Sequence, residues 1–119
     1  MPGQPEKREE NKKRNQEEWP LAAGFRNSWK KYKSNPISDA MTTFDRCKRA
    51  IPPEPLPAKM NDHKLGGPFA GFMECHLDDD ALLIYKTMSN GAIKLYRMCS
   101  HDDLKGPKTK ALIKQLKQE

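Results

Sequence analysis

The stretch Ala81-Leu82-Leu83-Ile84-Tyr85-Lys86-Thr87 decides the fold. Four successive apolar residues leave an extended chain with no polar face, so this segment belongs in the middle of a sheet. Turn sequences bound it on both sides. Asp78-Asp79-Asp80 precedes it, and Ser89-Asn90-Gly91 follows, where Asn-Gly between apolar runs signals a hairpin because both residues accept positive φ. The flanking runs Phe69–Leu77 and Ala92–Cys99 are then its neighbours. Tight turns join strands antiparallel, so the three form a meander.

Upstream, Ile51-Pro52-Pro53-Glu54-Pro55-Leu56-Pro57 cannot be helical and reads as a rigid connector. Two helices precede it. The first spans Gly24–Lys33, with Phe25, Trp29 and Tyr32 on one face, and Ser34-Asn35-Pro36 breaks it. The second starts near Ser38 and carries Met41, Phe44, Cys47 and Ile51 at helical spacing. Arg46, Lys48 and Arg49 fall off that stripe, which predicts a helical hairpin with a basic outer face. Trp19–Ala23 is an apolar patch suited to a short edge strand despite Pro20.

Downstream, Ser100 is placed to cap a short helical turn ending at Gly106, and Pro107 to open a last helix with Leu112, Ile113 and Leu116 inward. The expected fold is α+β: an N-terminal helical hairpin packed on a small antiparallel sheet, with a C-terminal helix. All helices are expected on one face of the sheet. The chain divides into a charged extension (1–18), the domain proper (19–106) and the terminal helix (107–119). The extension is almost devoid of apolar residues, so it is expected as a solvated helix or a disordered tail.

The net charge of +6 is unevenly distributed. The first 18 residues cancel, whereas Arg26–Arg49 carries a net +5 and the segment from His101 onward +2. Such a surface suits phosphate backbones, acidic proteins or anionic membranes, and charge alone does not choose among them. No apolar run approaches the roughly 20 residues that span a bilayer. The N-terminal residues hold no apolar stretch of the signal-peptide kind, so a cytoplasmic protein with no membrane partner is expected. Cys47, Cys75 and Cys99 show no CxxC spacing and read as reduced thiols serving as small apolar residues.

All three histidines follow the proline connector: His63 before the sheet, His76 near the end of its first strand, His101 just past its last. Meander topology brings His76, Asp80, Arg97 and His101 to one end of the sheet. An imidazole both accepts and donates a proton near neutral pH. RNA cleavage needs a base for the 2′-OH, an acid for the leaving 5′-oxygen and a cation for the charge growing on phosphorus. Histidines with Asp80 supply the proton transfers and Arg97 the grip on phosphate. The scheme needs no metal or other cofactor, and no HxH or HExxH spacing appears. Each residue also has a plainer role open to it, as a surface imidazole, a polar turn or an ion-pair arginine.

At these residues the chain resembles a known family. Pro57-Ala58-Lys59-Met60-Asn61-Asp62-His63-Lys64-Leu65 resembles the "LP…DH.L" segment of YafQ-type toxins, which belong to the RelE/ParE superfamily of toxin–antitoxin modules. His76-Leu77-Asp78-Asp79-Asp80 with Leu82-Leu83-Ile84-Tyr85-Lys86 is similar to "H..PD.LLIYK", and Leu95–Leu104 to "L.R.GSH..LF". By element order the likeness runs from Trp19 to Leu104, and its motifs are specific from Pro57 onward. It implies a metal-independent endoribonuclease that cleaves mRNA on the ribosome and is held inactive by a cognate antitoxin. It also places His63, His76, Asp80 and His101 on the family's acid/base and RNA-contacting positions, and Arg97 on its phosphate-binding arginine. Lys86, Lys105, Arg46, Lys48 and Arg49 are candidate RNA contacts.

Lys105 stands where the family has an aromatic residue, Asp79 where it often has proline, and Ala81 where an aromatic occurs. The missing aromatics weaken base stacking, while Lys105 adds a cation. Two other functions fit the same fold: a ParE-like toxin that binds a protein such as gyrase, and an inactive relative that only binds RNA or the ribosome.

Overall fold

The structure is a computed structural model that describes residues 18–119. The expectation for the charged extension therefore lies outside the described residues, apart from Glu18. In chain order the elements are α1 (Phe25–Tyr32), α2 (Asn35–Arg49), β1 (His63–Lys64), β2 (Met73–Asp78), β3 (Ala81–Thr87), β4 (Ile93–Cys99), α3 (His101–Lys105) and α4 (Thr109–Gln118). Short 3-10 turns at Ala58–Met60 and Gly67–Phe69 lead to β1 and β2. The sheet runs β1-β2-β3-β4 with every neighbour antiparallel.

The α+β fold and the meander are as the sequence predicts, with β3 inside. Asp79-Asp80 turns β2 into β3, and the second hairpin closes through Met88 N–H donating to Ala92 O at 2.7 Å, with Gly91 at φ 89°. A strand at His63-Lys64 was not expected. His63 and Lys64 pair with Glu74 and Met73, so His63 lies in the sheet rather than before it. The predicted strand Phe69–Leu77 starts only at Met73, because Gly67–Phe69 coils into a 3-10 turn and Gly71 reverses the chain at φ 97°. The edge segment near Trp19 makes one parallel bridge, Leu21 to Leu95, with Ala22 N–H donating to Leu95 O and Leu95 N–H to Pro20 O.

Leu82, Leu83, Ile84 and Tyr85 are fully buried, and alternation sends them to two different cores. Leu83 and Tyr85 face the hairpin, packing with Phe25, Ile37, Phe44 and Cys47. Leu82 and Ile84 face the other way, against Phe69, Phe72, Leu112 and Leu116. The expectation that all helices share one face is thus corrected: α4 covers the face opposite the hairpin. A strand apolar on both sides requires exactly such a second layer, since each uncovered side chain forgoes about 1.5–3 kcal/mol.

The second helix also differs. It starts at Asn35, three residues before the expected Ser38, because Ser34 Oγ caps it by accepting from Ile37 N at 3.3 Å, and Pro36 is tolerated in the first turn. It ends at Arg49, ahead of the Pro52-Pro53 pair, so Ile51 leaves the stripe and is 54% exposed. The basic outer face does not form as expected. Lys48 turns inward to Asp62 Oδ2 at 2.6 Å, and Arg49 lies over the Trp19 ring at 4.0 Å while bonding Asp45 Oδ1 at 2.6 Å. Their apolar stems cover the rim of the core while the charges find carboxylates. Ser100 caps α3 through a reciprocal box with Asp103, as its sequence suggested. Among the described residues no helix is long and apolar enough to cross a membrane.

Phe44 stands at the centre of the first core, fully buried and edge-on to both Trp19 and Tyr85. Phe44→Ala is expected to cost about 3–5 kcal/mol of unfolding free energy. Urea titration followed by tryptophan fluorescence measures it, and a loss below 1 kcal/mol would be inconsistent with this packing.

Candidate active site

The sheet's register builds the site. His63 on β1 pairs with Glu74 on β2, Glu74 with Ile84 on β3, and Ile84 with Arg97 on β4. Residues in register share a face, so these four form a row on the side that α4 partly covers. The next row holds His76, Leu82 and Cys99. Glu74 and His76 are two residues apart on one strand and so project together.

Glu74 was not singled out from the sequence, yet it is the hub of one half of the site. It is only 5% exposed, the one polar or charged residue buried among the described residues, and its Oε1 lies 3.7 Å from Nε2 of both His63 and His76. The alternation Glu74, His76 along β2 was the signal that could have found it. His76 meets His101 edge-on, with ring centroids 5.3 Å apart and planes at 82°. The strand-to-helix corner after β4 then joins His101 to the β2–β3 turn. Asp80 Oδ1 accepts from His101 N at 3.0 Å and is 2.8 Å from His101 Nδ1. Glu74, His76, His101 and Asp80 therefore form a continuous chain of neighbours, and His63 joins it through Glu74.

An ionised carboxylate only accepts, so the contact with Asp80 assigns the ring proton to Nδ1 of His101 and leaves Nε2 for other chemistry. The backbone N–H of His101, then its ring, hold the Asp80 carboxyl below the ordinary carboxylate range. The cysteines offer no competing nucleophile. All three are buried and free, and burial pushes Cys75 upward and Cys99 up to about 12.

Arg97 joins the row but not the chain. Ile84 separates it from Glu74, a distance of about 10 Å by strand spacing. An irregularity at Tyr96 in the β3–β4 ladder precedes it. Its guanidinium is engaged by α4 and the residue after it: Nη1 donates to Gln115 Oε1 at 3.2 Å and Nη2 to Glu119 Oε2 at 2.9 Å. Gly24 lets it lie against the chain, since a Cβ there would stand 2.2 Å from Nη2.

The other candidate cations scatter. Lys86 lies on the same face, over the Phe72 ring at 4.3 Å. Lys105 is exposed one turn beyond His101. Arg46 pairs with Glu54 at 3.3 Å and lines a 640 Å³ cleft that also includes His76 and Lys59. Lys48 and Arg49 are held by Asp62 and Asp45. No group of three or more His, Cys, Asp or Glu side chains among the described residues is arranged to hold a metal ion.

Because its folded pKa is depressed, Asp80 stabilises the fold above pH 3.8, and that contribution disappears as pH falls through the lowered value. Carbon-detected NMR titration is expected to give a midpoint below 3.8. In His101→Ala the ring bond is lost and the backbone bond kept, so the midpoint should move part of the way back. An unchanged midpoint would mean that the ring does not bind Asp80.

Residues 18–106 match the family described as bacterial toxin of type II toxin-antitoxin system, YafQ. No curated protein sequence matches the chain. Among solved structures, YafQ from E. coli is 25% identical with a TM-score of 0.59, covering 76% of this chain and 100% of that one. The E. coli DinJ-YafQ complex matches at 26% identity and TM-score 0.57, over 76% and 100% of the two chains. A copper-bound mutant toxin from Helicobacter pylori is 25% identical with a TM-score of 0.57, over 73% and 97%. With the family match spanning all three histidines, this chain belongs to the YafQ family of type II toxin–antitoxin toxins.

Proposed function

We propose that this toxin is an endoribonuclease that cleaves mRNA on the ribosome, without a metal, through the paired imidazoles of His76 and His101. The observation that carries the reading is their edge-to-face contact at 5.3 Å, with each ring backed by a different carboxylate. Two imidazoles at this separation are suited to opposite ends of one phosphodiester. His76, beside Glu74, takes the proton of the 2′-OH. The 2′-oxygen bonds to phosphorus, the bond to the 5′-oxygen breaks, and that oxygen leaves with a proton from His101. The products are a 2′,3′-cyclic phosphate and a 5′-hydroxyl. Asp80, accepting from Nδ1 of His101, fixes the orientation of the ring and so supports its role as the acid.

Around these groups, Arg97 is the phosphate cation, and Lys105, Lys86 and Arg46 are the remaining basic side chains near the site suited to the RNA backbone. Lys48 and Arg49 serve the fold first, through Asp62, Asp45 and Trp19. His63 reaches the proton-transfer pair only through Glu74 and is the least essential histidine. An enzyme acting on translating messages works in the cytoplasm, and its partner is a cognate antitoxin, as DinJ is for E. coli YafQ.

His76→Ala and His101→Ala are each expected to lower cleavage by about 10²–10⁴-fold with the fold retained. Purified ribosomes programmed with a defined message, assayed in magnesium buffer with 1,10-phenanthroline to remove transition metals, provide the test, and the 3′ ends should carry cyclic phosphate. Full activity in both variants would remove the site; loss of wild-type activity in phenanthroline, restored by added copper or zinc, would remove the metal-free mechanism.

A further inference from the structure

The family match ends at residue 106, so α4 lies outside it. This helix nonetheless lies on the face that carries the row His63, Glu74, Ile84 and Arg97, and the residue after it, Glu119, reaches the arginine of that row. We propose that Glu119 is a built-in occupant of the phosphate position, its carboxylate holding the Arg97 fork so that RNA phosphate binds there only after displacing it. The proposal rests on the assignment of Arg97 as the phosphate cation.

Chemistry makes the two ligands equivalent. A guanidinium presents the same parallel N–H pair to a carboxylate edge and a phosphate edge. The pair is well shielded, with the Arg97 side chain 19% exposed and that of Glu119 15%. The fork is nevertheless incompletely used. Arg97 Nε and Glu119 Oε1 are both buried without a hydrogen-bond partner among the described residues. A phosphate that took Nε and Nη2 together would satisfy a donor that Glu119 leaves idle, so the occupant is displaceable by the ligand it imitates.

The surroundings point the same way. A cleft of about 580 Å³ opens here, with Lys31, Lys108 and Arg97 facing Glu119 and Asp103. Asp103 is committed to capping α3. With Glu119 swung out, three cations face one carboxylate, and a nearly balanced cleft becomes an anion site. The motion is small. Leu112 and Leu116 hold α4 in the core, while Gln115 and Glu119 project from its flank and need only change rotamer. An internal competitor acts at an effective concentration in the millimolar range, so it weakens a phosphate ligand without excluding it.

The test uses the full chain, with Glu119→Gln alone and with Gln115→Ala added. Inorganic phosphate is titrated while the Arg97 Nε–H resonance is followed, and binding of a 2′-O-methylated single-stranded RNA, which cannot be cleaved, is measured by fluorescence anisotropy. Glu119→Gln is expected to tighten both by about tenfold, and the gain should vanish in an Arg97→Ala background, or in Arg97→Gln should the alanine variant fail to fold. Equal affinity in wild type and Glu119→Gln would overturn the proposal, as would a gain that survives loss of Arg97, which would report only a general change of charge. If Glu119→Gln binds phosphate and RNA tighter through Arg97 yet cuts no message, the occupant is established and the nuclease reading fails separately.

Discussion

Everything in this domain depends on a strand that has no polar side. Leu82, Leu83, Ile84 and Tyr85 are all fully buried, and a pleated strand cannot hide four such residues under one layer. Two covers are therefore obligatory. The hairpin of α1 and α2 supplies one; the 65–72 segment and α4 supply the other. The second cover is incomplete, and what it leaves open is the end of the sheet where His63, His76 and His101 are still partly accessible. The site is thus the uncovered remainder of a face that the central strand forces to be mostly covered.

Much of this was legible in the sequence, and the reasons are local. The Asp78–Asp80 and Ser89–Gly91 turns fix antiparallel neighbours, and antiparallel neighbours bring His76, Asp80 and His101 to one corner, where the structure has them in contact. The two-sided apolar pattern of β3 already demanded a layer on each face, so the expectation that all helices share one face disagreed with its own premise. What could not be read is non-local. β1 is two residues long and exists only because Glu74 and Met73 are there to pair with, so no periodicity announces it. Glu74 was not singled out, because its importance comes from the two rings set against it. The basic residues of α2 were counted as surface because a helical wheel shows which side a residue leaves from, whereas long side chains bend back: Lys48 and Arg49 end on Asp62 and Asp45.

The two carboxylates beside the imidazoles differ in kind. Asp80 is on a turn, open to water, and grips His101 through both its ring and its backbone. Glu74 is in the sheet, enclosed, and stands at 3.7 Å from two rings without a close hydrogen bond to either. The first arrangement fixes one orientation and one tautomer of one ring. The second sets a carboxylate between two rings, whose orientations are set elsewhere, His63 by the Asn61 carbonyl at 2.6 Å from its Nδ1 and His76 by its edge-on contact with His101. An acid that must deliver its proton along one line benefits from the first. A base that must collect a proton from a substrate arriving in the groove, then pass it on, is better served by the second.

The C-terminal helix stabilises a face through one stripe and touches Arg97 through another. Its inward stripe, Leu112 and Leu116, is an i, i+4 pair that completes the second core. The pair that reaches Arg97, Gln115 and Glu119, has the same spacing but is rotated by about one residue, roughly 100° around the axis. Hydrophobic docking therefore does not depend on the polar contacts. If the arginine had been held by residues of the apolar stripe, releasing it would have meant undocking the helix and exposing Leu82 and Ile84. Because the two stripes are separate, the cover can stay while the cation changes partners, and the fold's demand for a second layer remains compatible with the substrate-binding role proposed for that face.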